Sequence, residues 1–581
     1  MTDPRRTILL NSYAAKQCPV RTHNAFSPMV PAPEWVPSAE LQALFEGGRQ
    51  FEAEIFAELL AIHPTNAVLV EPALRGGDAI TRTLAAMESG VPLVLGGWLP
   101  DDVMGGRTGK PDILVKVDGG YLPADVKNHK TLQVAKKTSK LVSSLARPDS
   151  WWDAPGQTAC SANYYEDALQ LAHYTRLLQA CGFHPGEDLL LGAILGTSLV
   201  AQSGSAAEVV FAWHDLTRPT RPTFSRRRGK VLRSVLERYD HEHVFRVKVA
   251  ATAALITGAG DDPEPLVVPI GQKECQECPY ELWCAEQMGP EDASVAITRG
   301  RLDPREWRTL RRMGITTTGA LADLDPEDPA FFDEYYPEVR QHSRGQALKR
   351  LSAAVRQAQM ICEGVDFQPI SGVPVEVPAA DVEIDFDIEW DTSLRIYQWG
   401  LRVRDRQDDS TARYEPVVSF EALDGEGELV LAERAAALIG NLRAEAEAVG
   451  RTVAVYHWHH PEVSMTQRFA CVATALEGIT VDLRAWFLRT FHVRGEASIK
   501  AVAQFFGFTW AVDDPGGLLS MSKIEFARGT GTEARDARQW CLDYNESDVA
   551  AQAVIRDGLR AMFPPGNTEE GNGATAVGPT G

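Results

Sequence analysis

Residues 382–390 read Val-Glu-Ile-Asp-Phe-Asp-Ile-Glu-Trp, and this alternation of apolar and acidic side chains constrains the fold more than any other stretch. A period of two sorts side chains onto opposite faces of an extended strand, whereas a helix would scatter them. The segment is therefore predicted to be a strand on which Asp387 and Glu389 share a face. Far downstream, Cys541-Leu-Asp-Tyr-Asn-Glu-Ser-Asp548 reads as helix, with Tyr544 and Asp548 one turn apart on a common side.

The neighbouring pattern is mixed. Leu394–Val403 and Thr452–Trp458 read as strands, the latter followed by helices. In the first half, Gln50–Ile62 and Asp167–Ala180 read as helices and Ala67–Glu71 and Val91–Leu95 as short strands. Ile113–Val117 and Tyr121–Val126 form a predicted hairpin across Asp118-Gly-Gly. Both halves are thus expected to be α/β. The expected domains are 1–290, a helical linker at 291–365, a second α/β domain at 375–565 and a disordered tail at 566–581. Gly372, Pro374 and Pro378 mark 364–381 as an interdomain linker. Within the helical segment, Leu310-Arg-Arg-Met-Gly-Ile-Thr-Thr-Thr-Gly predicts one helix ending at Gly314 and another after the threonines. That is a helix-hairpin-helix pattern, and a plain helical connector gives the same letters. No internal repeat is visible.

The first half carries its own constellation: Asp112 after Pro111, then Asp125-Val-Lys127, with Gln170 and Tyr174 on the following helix. Asp125 and Lys127 are two apart on a strand and so leave the same face. Phosphodiester hydrolysis uses such a grouping: carboxylates hold Mg²⁺ or Mn²⁺, and a lysine orients water or neutralises phosphate. Upstream, Gly48-Arg-Gln-Phe-Glu52 lies on a helix; Glu54 rivals Glu52 for the same acidic role.

Cys275, Cys278 and Cys284 are spaced C-x2-C-x5-C. Three close thiolates need a fourth ligand for zinc or an iron–sulfur cluster. Cys18, in an N-terminal Cys-Pro, is the leading candidate and Cys160 its rival; Cys181, Cys362, Cys471 and Cys541 are assigned no role.

The Pro-Asp…Asp-x-Lys signature, with Glu52, Gln170 and Tyr174, resembles the restriction-endonuclease-like nucleases, specifically their RecB-like members. One upstream cysteine and three downstream resemble the iron-staple group within that family. The resemblance covers about residues 8–290 and implies a 4Fe–4S cluster on Cys18, Cys275, Cys278 and Cys284. It also implies metal ligation by Asp112 and Asp125, with Lys127 beside the nucleophile. Phe51 stands where many of these nucleases place a histidine.

The second half resembles the DnaQ-like, RNase H-fold exonucleases. Asp387 and Glu389 match their first motif, and Tyr544 with Asp548 their third. The resemblance implies that Asp387, Glu389 and Asp548 ligate metal while Tyr544 orients the attacking water. The second motif departs from the pattern: His459-His-Pro-Glu462 follows the 452–458 strand, which leaves Glu462 as the candidate acid and Asp482 as runner-up. His457, His459 and His460 are candidates for metal or phosphate contact.

Together these resemblances imply a metal-dependent DNA exonuclease acting on single-stranded ends. The competing expectations are an RNA-processing enzyme led by the second half, and a non-catalytic metal-stapled adaptor that binds nucleic acid. With 58 Lys+Arg against 79 Asp+Glu the net charge is −21, which disfavours indiscriminate coating of nucleic acid. Substrate grip is expected from Lys130, Lys136, Lys137 and Lys140 and from Arg226-Arg-Arg-Gly-Lys230. No glycine-rich phosphate loop of an ATPase is present, so unwinding would need a helicase partner. Neither a transmembrane segment nor a secretory signal is evident, and the unpaired cysteine usage suits a cytoplasmic setting.

Overall fold

The computed structural model describes residues 7–160, 164–202, 207–225, 229–298, 300–391, 394–513 and 517–564. The expected tail at 566–581 and Arg226–Arg228 lie outside the described residues. The chain divides into two units: residues 1–289 with 336–344, and residues 290–335 with 345–581. Both are α/β.

The first unit is built on an eight-stranded mixed sheet. Its spatial order is Ala67–Leu69, Leu93–Leu95, Ile113–Val117, Gly120–Val126, Leu191–Ala201, Ala207–Asp215, Leu132–Ser144 and Trp152–Ala159. The expected hairpin forms across Asp118-Gly119, with Val117 opposite Gly120 and Gly119 at φ +85°. The second turn residue sits in the left-handed region, which glycine enters without steric cost. One sheet face is covered by helix Ala39–Ile62, whose Ile55 and Leu59 pack on Leu95, Ile113, Leu122 and Val126. On the other face, helix Tyr164–Ala180 lays Ala168, Leu171 and Ala172 against Ile194 and Leu216. Asp125, one residue out of phase with Val126, therefore points under the second helix.

The second unit has a five-stranded sheet in the order Asp408–Val418, Ile396–Asp405, Val382–Trp390, Val453–His457, Thr480–Asp482. The first two pairings are antiparallel and the last two parallel. The strand predicted at 382–390 has those bounds and is central. Its apolar face, Ile384, Phe386 and Ile388, packs on Leu431, Ala435 and Ile439 of helix Gly425–Ala448. Its acidic face lies under the long helix Thr532–Met562, to which it is joined by Arg556 and Asn545.

Two organisational expectations are corrected. Residues 364–381 are not a free interdomain linker: Phe367–Pro369 pairs with Phe491–Val493, and Phe367 is buried among Phe487, Phe491, Phe505 and Phe506. The glycines and prolines of the flanks hid an aromatic anchor. Nor do residues 291–365 stand apart, since most of them belong to the second unit. Within them, helix Pro304–Arg312 ends before Gly314 (φ +84°) and helix Thr318–Ala322 starts at its Thr317 cap, so the helix ends fall where the glycine and the threonine run place them. Glu306 of that pair is fully buried and ion-paired with Arg350, 2.7 Å away.

Candidate functional sites

The polar face of the central strand in the second unit divides into two halves of opposite electrostatic character. Glu383 and Asp385 are buried against arginines: Arg404 reaches Glu383 at 2.7 Å, and Arg556 holds Asp385 and also contacts Glu383. Arg404 and Arg556 are themselves fully buried, and Arg556 lies 3.8 Å over the Tyr456 ring. Each charge here is neutralised by an opposite one, which is the condition for tolerating buried ions.

Two residues along, hydrogen bonds from neutral groups replace the arginines. Asn545 Nδ2 donates to Asp387 at 2.7 Å, Ser520 Oγ donates to Glu389 at 2.6 Å, and Trp510 Nε1 donates to Asp548 at 2.7 Å. Asp387, Glu389 and Asp548 nonetheless converge, with one oxygen of each within 4.8 Å of the others. Glu462 joins them: its Oε2 is buried with no hydrogen-bond donor among the described residues, and it sits 3.9 Å from His457 Nδ1. Burial, reinforced by the charge of Asp548, raises the Asp387 carboxyl well above its usual range; burial and Asp387 do the same to Glu389 and Glu462. Burial lifts Asp548 to about 6 against the opposing effects of Trp510 and Lys500. Tyr544 hydrogen-bonds Asp548, and burial beside Glu389 raises its hydroxyl pKa. Asp387, Glu389 and Asp548 are close enough together that one oxygen from each could hold a divalent cation.

Between the two candidates for the departing motif, the structure brings Glu462 to the acids and uses Asp482 elsewhere. Asp482 caps helix Leu483–Thr490 by accepting from Ala485 N at 2.7 Å. His457 Nδ1 lies 2.9 Å from His459 O, and His459 Nδ1 lies 3.9 Å from Glu462. The His460 side chain lies outside the described residues.

In the first unit, Asp112, Asp125 and Lys127 come together at the end of the hairpin. Val126 N donates to Asp112 Oδ2 at 2.8 Å, and Lys127 is ion-paired with the fully buried Asp125. Burial and the neighbouring Asp125 raise the Asp112 carboxyl well above its usual range, with Glu52 adding to the rise. Burial alone would depress the Lys127 ammonium, but Asp125 and Asp112 overcome it and raise it. Glu54 is exposed and accepts from Gln50 at 3.0 Å, so Glu52 is the acid turned to the site. Gln170 Nε2 donates to Tyr174 OH at 3.1 Å, and that hydroxyl also meets Ser12 Oγ at 3.1 Å. No third acidic oxygen closes on Asp112 and Asp125 as in the second unit, among the described residues.

The cysteines occupy one neighbourhood. Cys18 interacts electrostatically with Cys275, and Cys284 with Cys278 and Cys275. Burial, with Glu274 alongside, pushes the Cys18 thiol to about 12; burial pushes Cys284 to about 11. Gln272 donates to Cys18 Sγ at 3.4 Å and Asn24 to Cys284 Sγ at 3.3 Å. No three of these sulfurs lie within 4.8 Å of one another among the described residues, whereas tetrahedral zinc, with Zn–S about 2.3 Å, would hold them about 3.8 Å apart. The Cys-Pro pair has a second explanation: Cys18 immediately precedes helix Pro19–Phe26, where proline suits the first turn. Cys160 sits at the end of strand Trp152–Ala159 with its N–H on Thr131 O at 2.8 Å.

Of the expected gripping lysines, Lys130, Lys136 and Lys137 are exposed. Lys140 is not a free surface cation: it is largely covered and its Nζ lies 2.9 Å from His214 Nδ1. Sequence reasoning missed Asn545, Trp510, Ser520 and Ser12, whose polar side chains are unremarkable until the fold delivers them. Lys16 was also missed; burial and nearby Lys127 lower its ammonium pKa.

No family model, curated protein or solved structure matches this chain.

Proposed function

We propose that this protein is a metal-dependent nuclease that hydrolyses phosphodiester bonds of single-stranded DNA ends at two centres, one in each unit. The observation that carries the reading is the convergence of Asp387, Glu389 and Asp548 on donors that are neutral, beside Glu383 and Asp385 that are matched by arginines. The same strand carries arginine-paired carboxylates for contrast, while Glu389 and Asp548 feel Lys500 only as an opposing charge against burial, an arrangement suited to a divalent cation.

Mg²⁺ or Mn²⁺, held by Asp387, Glu389 and Asp548 with Glu462 as further acid, and by Asp112 and Asp125 in the first unit, would supply a hydroxide nucleophile and charge for the leaving oxygen. Asn545, Ser520 and Trp510 hold the carboxylates in place. Tyr544, against Asp548, is set to orient water. Lys127 keeps its proton and offers a fixed positive charge to phosphate. The sheet order 3-2-1-4-5 with its second strand antiparallel supports an RNase H-like fold for the second unit. The Asp-hairpin-Lys arrangement beneath a helix bearing Gln170 and Tyr174 supports a restriction-endonuclease-like fold for the first. Cys18, Cys275, Cys278 and Cys284, which act on one another electrostatically, are the residues this reading assigns to an iron–sulfur cluster.

The test uses the full chain with Mn²⁺ and end-labelled single strands of DNA and RNA. Asp125→Ala and Asp387→Asn are each expected to lower degradation of DNA, and the double variant to abolish it. Undiminished activity in the double variant would refute the assignment, and degradation of RNA alone would replace the substrate.

A further inference from the structure

On the same sheet face as Asp125 stands Lys140, which lines a cavity of about 480 Å³ that opens beside strands Leu132–Ser144 and Ala207–Asp215. Strand pairing fixes that common face: Asp125 is opposite Ile194, Ile194 opposite Ala212, and Ala212 opposite Val142. Lys140 and His214 each lie two residues from that row and so point the same way. Three strand steps of about 4.8 Å plus two residues of about 3.3 Å put the cavity about 16 Å from Asp125, a few nucleotides along an extended strand.

Its chemistry is that of an anion receptor. The Arg221 guanidinium stacks 4.3 Å from the Tyr165 ring centre and 5.6 Å from that of Tyr164, and its buried Nε has no hydrogen-bond acceptor among the described residues. A guanidinium held over two rings with a donor unused is pre-organised for an oxyanion. Lys140 meets the imidazole of His214, which burial keeps unprotonated. Burial also draws Lys140 down to about 7, with Asp215 opposing and Arg218 assisting, so a bound anion would restore its full charge. Two acids line the cavity as well. Asp215 is already engaged by Thr217, through N at 2.9 Å and Oγ1 at 2.6 Å, and Asp153 is exposed.

Resting on the nuclease reading, we propose that Lys140, Arg221 and the rim residue Arg218 bind a backbone phosphate of the single strand whose end is cut at the Asp112–Asp125–Lys127 centre. Phosphate is the shared chemistry; a DNA strand and free phosphate or mononucleotide are the two sources to separate.

Anisotropy of a fluorescein-labelled oligothymidylate, measured in Ca²⁺ at several salt concentrations, tests this on the full chain. The double variant Lys140→Met, Arg221→Gln is expected to weaken binding about tenfold or more, as for removal of charge-assisted hydrogen bonds. The slope of log K against log salt should fall by about 0.7, the value for one single-strand phosphate no longer neutralised. Arg218→Glu, on the exposed rim where it cannot disturb the core, should shift both in the same direction. Unchanged affinity and slope in Arg218→Glu and in the double variant would overturn the proposal. So would phosphorus NMR line-broadening of inorganic phosphate or thymidylate that both variants abolish while oligonucleotide affinity stays intact. Cutting by the unaltered protein in Mn²⁺ is measured separately, so the pocket can fail while the nuclease reading stands.

Discussion

Asp548→Asn is expected to stabilise the metal-free protein while destroying metal binding at the second-unit site. Burial raises Asp548 from 3.8 to about 6. A rise of that size corresponds to about 3 kcal/mol. The sign follows from proton binding. The folded protein holds a proton on Asp548 that the unfolded chain has already released, so stability is present below pH 4 and is lost as pH rises towards 6. Above pH 6 the folded state carries the full cost of a buried anion among Asp387, Glu389 and Glu462. Asparagine removes that charge, and its amide oxygen can still accept from Trp510. After some weakening of that hydrogen bond, a gain of about 1–3 kcal/mol is expected at pH 8 in EDTA. For a unit of this size that is a rise of about 2–10 °C in the melting temperature. Adding Mn²⁺ at a hundred times its Kd should stabilise the unaltered protein by about 2.7 kcal/mol and the variant by far less. Scanning calorimetry from pH 4 to 8, with and without Mn²⁺, reads both effects. A variant that melts lower than the parent in EDTA at pH 8, or that keeps the parent's Mn²⁺ shift, would refute the account of Asp548 as an under-neutralised metal ligand.

Two further outcomes follow from the same geometry. A Cβ on Gly400 would stand 1.7 Å from Asn545 Oδ1, so Gly400→Ala should push Asn545 off Asp387 and cost about 1.5–3 kcal/mol for a hydrogen bond to a charged group. Metal-dependent cleavage by the second unit should drop about tenfold or more in a rate assay with Asp125→Ala as background, and an unchanged rate would show that Asn545 is dispensable. For the cysteines, an anaerobic preparation should be brown with broad absorption near ~400 nm. The colour should disappear in Cys275→Ser and persist in Cys160→Ser; a colourless protein carrying stoichiometric zinc would reverse the cluster assignment.

The elements most open to sequence reading were those with a strict local period. The 382–390 strand, the Asp118-Gly turn and the helix over 167–180 follow from side-chain alternation, glycine's access to positive φ and helical patterning. Each is a property of a few adjacent residues. The errors came where the decisive partner was distant. Phe367 sits between glycines and prolines, and only its pairing with Phe491–Val493 turned an apparent linker into part of a core. Lys140 looked like a surface cation because nothing nearby in sequence reveals His214 beneath it.

The same division holds at the sites. Sequence by itself determined that Asp387 and Glu389 share a strand face, that Asp125 and Lys127 share another, and that Tyr544 and Asp548 lie on one side of a helix, because backbone periodicity alone sets those directions. Only the tertiary structure decided which acids carry an uncompensated charge. Arg404 and Arg556 come from a neighbouring strand and a distant helix to cover Glu383 and Asp385, while Asn545, Ser520 and Trp510 bring neutral hydrogen bonds to the other acids. Carboxylates on one strand thus join a structural ion network at one end and a group of acids held by neutral donors at the other, since the cost of burying a charge depends on what the fold places against it.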